Sequence, residues 1–282
     1  MNDPKWTPPF WVMPFRARRI WPILGVLASL LILGGAAGVI VATGLRPARV
    51  PVLTPRTVSV DVDGFLAWAL LDRRTGTISG SANYATATST TASMIKIWIA
   101  ADHLRLAEAD GHPPSRQRLD ELTTMIRDSD NEAADDVYQL DGGNDVVNRM
   151  ISTCGLTDTT VVDGRWGQTQ ITARDAVRLG LCVADGRAAG HAWTPWILTQ
   201  MRKVRGEGRF GIIDALPSRV ADTTAIKNGW TVVDADGEWH VACLGVQDRW
   251  ILAVLTRYDA SRSLGYGAGV CADVTRQLLG ES

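Results

Sequence analysis

A serine and a lysine stand three positions apart at Ser93 and Lys96, where an apolar run that predicts a helix begins. On a helix, side chains at i and i+3 lie on one face. A lysine held against a serine hydroxyl can take its proton if burial or a second cation lowers the lysine pKa. The pair therefore predicts a serine nucleophile with an adjacent base. A helix with one polar face is the alternative interpretation of the same spacing.

Two more polar motifs follow along the chain. A Ser-Asp-Asn tripeptide occupies residues 129–131, between two predicted helices, and a Lys-Asn-Gly tripeptide occupies residues 227–229 on a predicted strand. Lysine is scarce, with four against 25 arginines, and an arginine cannot act as a base because it keeps its proton in proteins. The first tripeptide also has a structural interpretation, because Ser129 followed by Glu132 fits a capping box at the start of a helix.

The elements that must position these motifs are predicted from periodicity and turn residues. Residues 65–71 and 77–84 predict a hairpin, and residues 225–233, 239–246 and 250–256 predict a C-terminal series of strands. An α+β fold is the economical arrangement, in which one antiparallel sheet is built from both chain ends, is flanked by helices and carries an inserted helical subdomain. One predicted helix runs from Ser93 to about Asp110, and another follows Gly143 and ends near Cys154. The remaining predicted helices cover residues 118–127, 132–140, 173–183, 193–203 and 264–279.

The N-terminal region differs from the rest of the chain in charge and hydropathy. Residues 23–45 contain no charged side chain, and 23 residues at about 1.5 Å each are enough to span a bilayer core of about 30 Å. Three arginines precede this stretch, and cytoplasmic flanks tend to be basic. We therefore predict a cytoplasmic segment over 1–22, a transmembrane anchor over 23–45, a proline-rich linker over 46–57 and an extracytoplasmic domain over 58–282. A cleaved signal peptide is the alternative, but its apolar part is usually shorter.

The distribution of charge excludes one class of partner. Residues 1–56 carry a net charge of +6, whereas the remainder of the chain carries −7 and has no basic stripe. A nucleic-acid partner for the domain is therefore not expected. No cysteine or histidine spacing resembles a zinc site, and neither a metal nor a cofactor is expected.

The four cysteines all lie in the predicted extracytoplasmic domain, where disulfides persist. Four cysteines allow three pairings. We expect Cys154 to pair with Cys182 and Cys243 to pair with Cys271, because each pair joins segments that are predicted to be neighbours. Buried free thiols are the alternative.

The three motifs, in this order and on these elements, resemble those of the penicillin-recognising serine acyl-enzymes, and most closely those of the class A β-lactamases. The likeness extends from about Val60 to the C-terminus. It implies that Ser93 is the nucleophile, that Lys96 is its base or a proton relay, and that Ser129 passes a proton to the leaving nitrogen. It also implies that Lys227 brings positive charge near Ser129 and the substrate carboxylate.

The same resemblance implies substrate-binding roles. Asn131 would bind the amide side chain of the substrate and help to orient the lysine of the first motif. Asn228, Gly229 and Trp230 would bind the substrate along the third motif. The amides of Ser93 and Trp230 would form the oxyanion hole, in which each donor is typically worth a few kcal/mol.

This chain departs from the class A pattern in three places. The third motif usually has Thr or Ser in the middle, and here it has Asn228, whose amide can still donate to a carboxylate. Ser93 and Ser129 are 36 positions apart, which is shorter than the usual class A connection and predicts a more open cleft. Class A enzymes activate the deacylating water with a glutamate in a loop that corresponds to residues 161–170, where this chain has no glutamate. Asp163 is the carboxylate of that stretch and therefore the candidate deacylation residue.

Three functions stay open. The first is a membrane-anchored extracytoplasmic serine hydrolase, β-lactamase-like, that opens a β-lactam or a related amide through a Ser93 acyl-enzyme. The second is a penicillin-binding D-alanyl-D-alanine peptidase or transpeptidase that acts on a peptidoglycan stem peptide, and the third is a non-catalytic cell-wall binding module of the same fold. The membrane is a further partner, through residues 23–45. A Ser-His-Asp hydrolase is not indicated, because the four histidines stand beside no motif residue.

Overall fold

The computed structural model describes residues 52–280, and within them six strands form one antiparallel sheet while two short strands form a separate pair. The strands are β1 (Phe65–Asp72), β2 (Ile78–Gly80), β3 (Thr88–Thr90), β4 (Gln170–Thr172), β5 (Ala225–Ile226), β6 (Gly229–Val233), β7 (Glu238–Val246) and β8 (Trp250–Asp259). The order in the large sheet is β2-β1-β8-β7-β5, and β6 also pairs with β7. The sheet is thus built from both ends of the domain, as predicted.

Both faces of the large sheet are covered, which explains why its strands are almost continuously apolar. On β1, Ala67, Ala69 and Leu71 belong to one cluster of buried side chains, whereas Trp68 and Leu70 belong to another. This alternation follows from the two-residue period of a strand. The first cluster contains side chains of the helices between residues 96 and 202, and the second contains side chains of the short helix Ser218–Ala221 and of the C-terminal helix.

The helices between and after the strands largely follow the sequence prediction. They are α1 (Lys96–Ala109), α2 (Arg116–Arg127), α3 (Asn131–Leu140), α4 (Asn144–Cys154), α5 (Ala173–Ala184), α6 (Gly190–Arg202), α7 (Ser218–Ala221) and α8 (Leu264–Leu279). The C-terminal helix has the predicted bounds. The helix that was predicted to begin at Ser93 begins at Lys96, because residues Ala92–Ile95 form a 3₁₀ turn.

The strand predicted over residues 225–233 is interrupted in the middle. Both β5 and β6 pair with β7, and the pairing resumes in the same register after Lys227 and Asn228. The N–H of Lys227 still donates to the carbonyl of Leu244 at 3.1 Å, so the backbone stays beside β7 through the interruption. The Lys-Asn-Gly motif therefore occupies a break in an edge strand.

The short sheet of β3 and β4 was not predicted. The two strands are antiparallel, with Ser89 opposite Ile171. This pairing joins the chain that leads into the Ser93 turn to the chain that leaves the loop 161–170. Main-chain bonds thus hold that loop against the Ser93 turn.

Part of the stretch predicted as a linker, 46–57, packs against the domain. Leu53 is 4% exposed and lies in the cluster that contains α8, and the N–H of Thr54 donates to the carbonyl of Leu278 at 3.1 Å. The proline pattern did not reveal that this apolar side chain packs beside α8. The predicted segments 1–22 and 23–45 lie outside the described residues.

The length of the described helices can be compared with the length that a membrane span needs. Between residues 52 and 280, no helix combines the length and the apolar character that a bilayer span requires.

The predicted cysteine pairing is confirmed. Cys154 at the end of α4 is bonded to Cys182 on α5, and Cys243 on β7 is bonded to Cys271 on α8. The first bond lies in the cluster of buried side chains on one face of the sheet, and the second lies in the cluster on the other face. Each face of the sheet is therefore braced by one covalent link.

Removal of either disulfide is expected to lower the free energy of unfolding by about 3–4 kcal/mol, because each crosslink removes loop-closure entropy from the unfolded chain. The two bonds have the same sequence separation, 28 residues, so the entropy argument predicts equal losses. Urea unfolding of the paired variants Cys154→Ala/Cys182→Ala and Cys243→Ala/Cys271→Ala measures both. A loss below about 1 kcal/mol for either pair would contradict the expectation.

Candidate active site

Ser93 lies in the 3₁₀ turn that leads directly into α1. The residue before it, Ala92, has a φ of +41°, which an alanine rarely adopts. Within residues 52–280, the other non-glycine residue with a positive φ is Ser129, at +60°. Backbone strain of this kind persists only where the surrounding structure enforces it, and it clusters at functional sites. Ser93 and Ser129 both line one cleft of about 820 Å³.

Lys96 is fully buried at the first position of α1. Its Nζ donates to the carbonyl of Ser129 at 2.5 Å and to Oδ1 of Asn131 at 2.6 Å. Burial lowers the pKa of Lys96 to about 8, although the carboxylates of Asp130 and Asp135 act to raise it. A neutral amine has two N–H donors and one lone pair, so these two bonds leave the lone pair of Lys96 free to accept a proton.

Lys227 approaches the same place from the break between β5 and β6. It is fully buried, and its Nζ donates to Oγ of Ser129 at 2.9 Å and to the carbonyl of Asn228 at 2.8 Å. Burial lowers the pKa of Lys227 well below its usual value, and the positive charge of Lys96 lowers it further. Within residues 52–280, neither lysine forms an ion pair with a carboxylate. The structure thus brings Lys96, Ser129, Asn131 and Lys227 together in one network beside the Ser93 turn.

The capping-box interpretation of Ser129 is wrong. Asp130 caps α3, because its carboxylate accepts the N–H of Ala133 at 2.8 Å. The hydroxyl of Ser129 is therefore left to accept from Lys227. The cap also fixes the start of α3, from which the side chain of Asn131 reaches Lys96.

Gly229 brings the edge strand against the Ser93 turn. A Cβ at this position would lie 2.4 Å from the carbonyl oxygen of Thr91 and 2.6 Å from the amide nitrogen of Ser93. A glycine is required here because the two backbones approach more closely than any side chain allows. Trp230, the next residue, lines the cleft. An oxyanion hole made by the amides of Ser93 and Trp230 needs this close approach, and that role stays a prediction.

Asn228 does not face the cleft, which corrects the expectation that its amide binds the substrate. Both N–H donors of its side chain are used, to the carbonyl of Gly208 at 3.0 Å and to that of Phe210 at 2.9 Å. The residue is 1% exposed, and its Oδ1 has no hydrogen-bond partner among the described residues. Successive side chains of an extended chain point to opposite sides, so Asn228 points away when Lys227 points in.

Asp163 is not brought into the cleft either. Its side chain is exposed, and its carboxylate accepts a hydrogen bond from Nδ2 of Asn144 at the start of α4. The residues of this loop that do line the cleft are Arg165, Trp166 and the two that follow them. The structure therefore does not support Asp163 as a deacylation residue.

Trp166 and four carboxylates line the cleft without having been singled out in the sequence. The indole of Trp166 lies over Lys96, with Nζ 5.1 Å from the ring centroid. Helical spacing could have revealed Asp135, which comes one turn after Asn131 on α3. The other residues that line the cleft lie in connections between helices and strands, and the conformation of such connections cannot be predicted from sequence periodicity. The four carboxylates are Asp128, Asp135, Glu207 and Asp234.

One group of side chains outside these motifs has the composition of a metal site. Asp236, Glu238 and His240 can bring one ligand atom each to within 4.8 Å of one another. Their donor atoms already have partners, because His240 Nε2 and Asp236 Oδ2 are 2.8 Å apart and Arg257 lies 3.6 Å from Glu238. These contacts join the turn before β7 to β7 and join β7 to β8.

Comparison with known proteins gives one family and one relative found in two mycobacteria. A family model described as "Beta-lactamase enzyme family" matches residues 112–279, a span that contains the second and third motifs and begins after the first. The protein called "Putative lipoprotein LppW" in Mycobacterium bovis is 32% identical over 239 residues, which cover 78% of this chain and 71% of that protein. The protein of the same name in Mycobacterium tuberculosis matches equally well.

Solved structures of class A β-lactamases share the fold. The TLA-1 extended-spectrum β-lactamase aligns with a TM-score of 0.64 over 78% of this chain and 94% of its own, at 14% identity. A class A β-lactamase from Bacteroides cellulosilyticus aligns with a TM-score of 0.63 over 78% and 92%, at 15% identity. At these identities the likeness concerns the fold alone.

Proposed function

This chain belongs to the β-lactamase enzyme family, and from that membership we propose that it is a serine hydrolase whose Ser93 opens a β-lactam or a related amide through an acyl-enzyme. One observation carries the proposal: Lys96 and Lys227, from distant parts of the chain, both bind Ser129 beside the Ser93 turn. Lys227 binds the hydroxyl of Ser129 and Lys96 binds its backbone carbonyl, so the network supplies a base, a proton relay and a positive charge around one residue.

The acylation step follows from this network. Ser93 Oγ forms a bond to the carbonyl carbon, and its proton passes to the lone pair of Lys96. The C–N bond then breaks, and the leaving nitrogen takes the proton of the Ser129 hydroxyl, which Lys227 restores because its Nζ is hydrogen-bonded to that hydroxyl. The amides of Ser93 and Trp230 would stabilise the negative oxygen that forms between these two stages. No metal or cofactor enters this scheme.

Substrate recognition in this proposal rests on the third motif and on Asn131. A carboxylate on the substrate would meet Lys227 without help from a hydroxyl or amide at position 228, since the Asn228 side chain is bound to Gly208 and Phe210. Asn131 has one oxygen bound to Lys96 and an NH₂ group that can donate to the substrate amide.

The network also bears on the non-catalytic alternative. Two buried lysines without carboxylate partners lower the stability of the fold, because a buried ammonium loses its hydration. A binding module of the same fold has no use for that arrangement, whereas a nucleophile that needs a neutral amine does. The network therefore favours catalysis over binding alone.

A penicillin-binding D-alanyl-D-alanine peptidase or transpeptidase is the second candidate. It is favoured by a specific observation, which is that the carboxylate of Asp163 is bound to Asn144 outside the cleft. An acyl-enzyme that lacks a base for hydrolysis releases β-lactams slowly. Slow release is normal for penicillin-binding peptidases and unfavourable for a β-lactamase.

Reaction of Ser93 with benzylpenicillin is expected to add the mass of one penicillin to the protein, and intact-mass spectrometry measures it. The adduct should be absent in Ser93→Ala, because that variant has no hydroxyl to acylate. Ser152→Ala is the matched control, since the Ser152 hydroxyl only bonds the carbonyl of Arg149 within α4. An adduct of equal yield in Ser93→Ala would refute the assignment, and so would intact penicillin with no adduct in the unchanged protein.

The rate of acylation is expected to rise with pH and to level off above about 8, where burial places the pKa of Lys96. The sign follows from the role of the amine: only neutral Lys96 accepts the proton, and its neutral fraction grows about tenfold per pH unit below the midpoint. Quenched samples between pH 6 and 9.5, analysed by mass, give the profile. Lys96→Arg, which keeps the charge but cannot lose a proton, should stay unreactive throughout. A flat profile would contradict a lysine base.

We also propose that the domain lies outside the cytoplasm, on an anchor formed by residues 23–45. The two disulfides fit an oxidising compartment, and the mycobacterial relative carries the word lipoprotein in its name. The apolar stretch is the proposed anchor because residues 23–45 carry no charged side chain and are long enough to span a bilayer core. Protease added to intact cells should then cleave the domain while a cytoplasmic marker survives. Protection of the domain until the cells are lysed would be the opposite result.

A further inference from the structure

The loop that ends at β4 closes one side of the Ser93 turn. The hydroxyl of Thr91 donates to the carbonyl of Trp166 at 3.4 Å, and the N–H of Thr91 donates to the carbonyl of Thr169 at 2.9 Å. These bonds place the backbone of residues 166–169 directly against the turn that carries Ser93. The approach to the turn from this side is therefore through the protein and not through solvent.

The side chain of Trp166 completes this closure. Its ring lies over Lys96, and its Nε1 donates to Oδ1 of Asp135 at 2.6 Å. Asp135 projects from α3, one turn after Asn131, whose own oxygen binds Lys96. The indole is thus held between a lysine below it and a carboxylate at its edge.

Hydrolysis of an ester on Ser93 needs both a water and a base. The water oxygen must bond to the ester carbonyl carbon, the C–O bond to Ser93 must break, and Ser93 must regain a proton while a base takes one from the water. Residues 164–170 contain no carboxylate, and the indole covers the amine of Lys96. On this side the indole blocks the path of water, and the carboxylate of Asp135 beside it is engaged by the indole N–H.

We propose that Trp166, held in place by Asp135, is a positioning residue that covers Lys96 and keeps hydrolytic water from the acyl group on Ser93. The acyl-enzyme therefore persists until the indole of Trp166 moves aside or another nucleophile arrives from the open side of the cleft. This inference rests on the proposed acylation of Ser93, and it identifies the residue that sets the lifetime of the acyl-enzyme.

The charged groups around Lys96 give the inference a second, independent readout. Asp130 and Asp135 face it from the start of α3, and Lys227 faces it from the break between β5 and β6. The loop 164–170 places the indole over Lys96 and the guanidinium of Arg165 in the lining of the cleft. Removal of the indole lets water reach Nζ, which raises the pKa of Lys96 toward the ordinary lysine value. The attraction of the ring for an ammonium acts the other way, but hydration of an uncovered ammonium outweighs it. Removal of the charge of Asp135 lowers the pKa of Lys96.

The test is the decay of the benzylpenicillin adduct, followed by intact mass after removal of free penicillin from the full-length protein. Trp166→Ala should shorten the adduct lifetime at least tenfold. Trp166→Phe, which keeps a ring but loses the bond to Asp135, should give an intermediate lifetime. Trp193→Ala is the matched control, because Trp193 is a half-buried indole on α6 that packs on Trp196. A lifetime in Trp166→Ala within twofold of the unchanged protein would overturn the proposal.

Titration of Lys96 by carbon NMR of ¹³C-labelled lysine separates this inference from the proposed function. The chain has four lysines, and the Lys96 signal is the one lost in Lys96→Arg. The midpoint should rise above about 8 in Trp166→Ala. It should fall in Asp135→Asn, whose amide oxygen can still accept the indole N–H. An unchanged midpoint in Trp166→Ala would overturn the covering role. Failure of the unchanged protein to form any adduct would overturn the proposed function, and the titration alone would then decide the covering role.

Discussion

Burial of two lysines in one network without a carboxylate is the constraint on which the cleft depends. An ammonium that loses water must either find a counter-ion or give up its proton, and the nearest carboxylates, of Asp130 and Asp135, act on Lys96 only through space. Backbone carbonyls, an amide oxygen and a serine hydroxyl take the place of water around both amines. Ala92 and Ser129 adopt unfavourable backbone conformations because these groups must converge at one point.

The strained residues lie at the edge of a well-packed scaffold. The large sheet has an apolar cluster on each face, and one disulfide lies in each cluster. The cleft is made at the margin of that scaffold, where the 3₁₀ turn, the connection between α2 and α3, and the broken edge strand meet. Covalent links thus secure the packing, while the site is positioned by close backbone approach, as at Gly229.

Sequence reasoning was sufficient where a pattern is local. The bounds of α8, the strands β1, β7 and β8 and both disulfides follow from periodicity and from the expected neighbours of each cysteine. It failed where the answer depends on a partner far away in the chain. Asn228 was misassigned because its carbonyl partners come from a connection some twenty residues earlier. Trp166 was overlooked because the pairing of β3 with β4, which fixes its loop, involves two three-residue strands too short to show a period.

The hydrogen bond between Trp166 and Asp135 links two positions that would have to evolve together. A substitution of Trp166 alone would leave a carboxylate free beside Lys96, where its charge would keep the amine protonated and weaken it as a base. Replacement of Asp135 by a residue without an oxygen acceptor would leave the indole N–H without this partner. The two side chains therefore act together on Lys96, and the effects of their substitutions should not be additive. Lineages that exchange one of these residues should therefore exchange both.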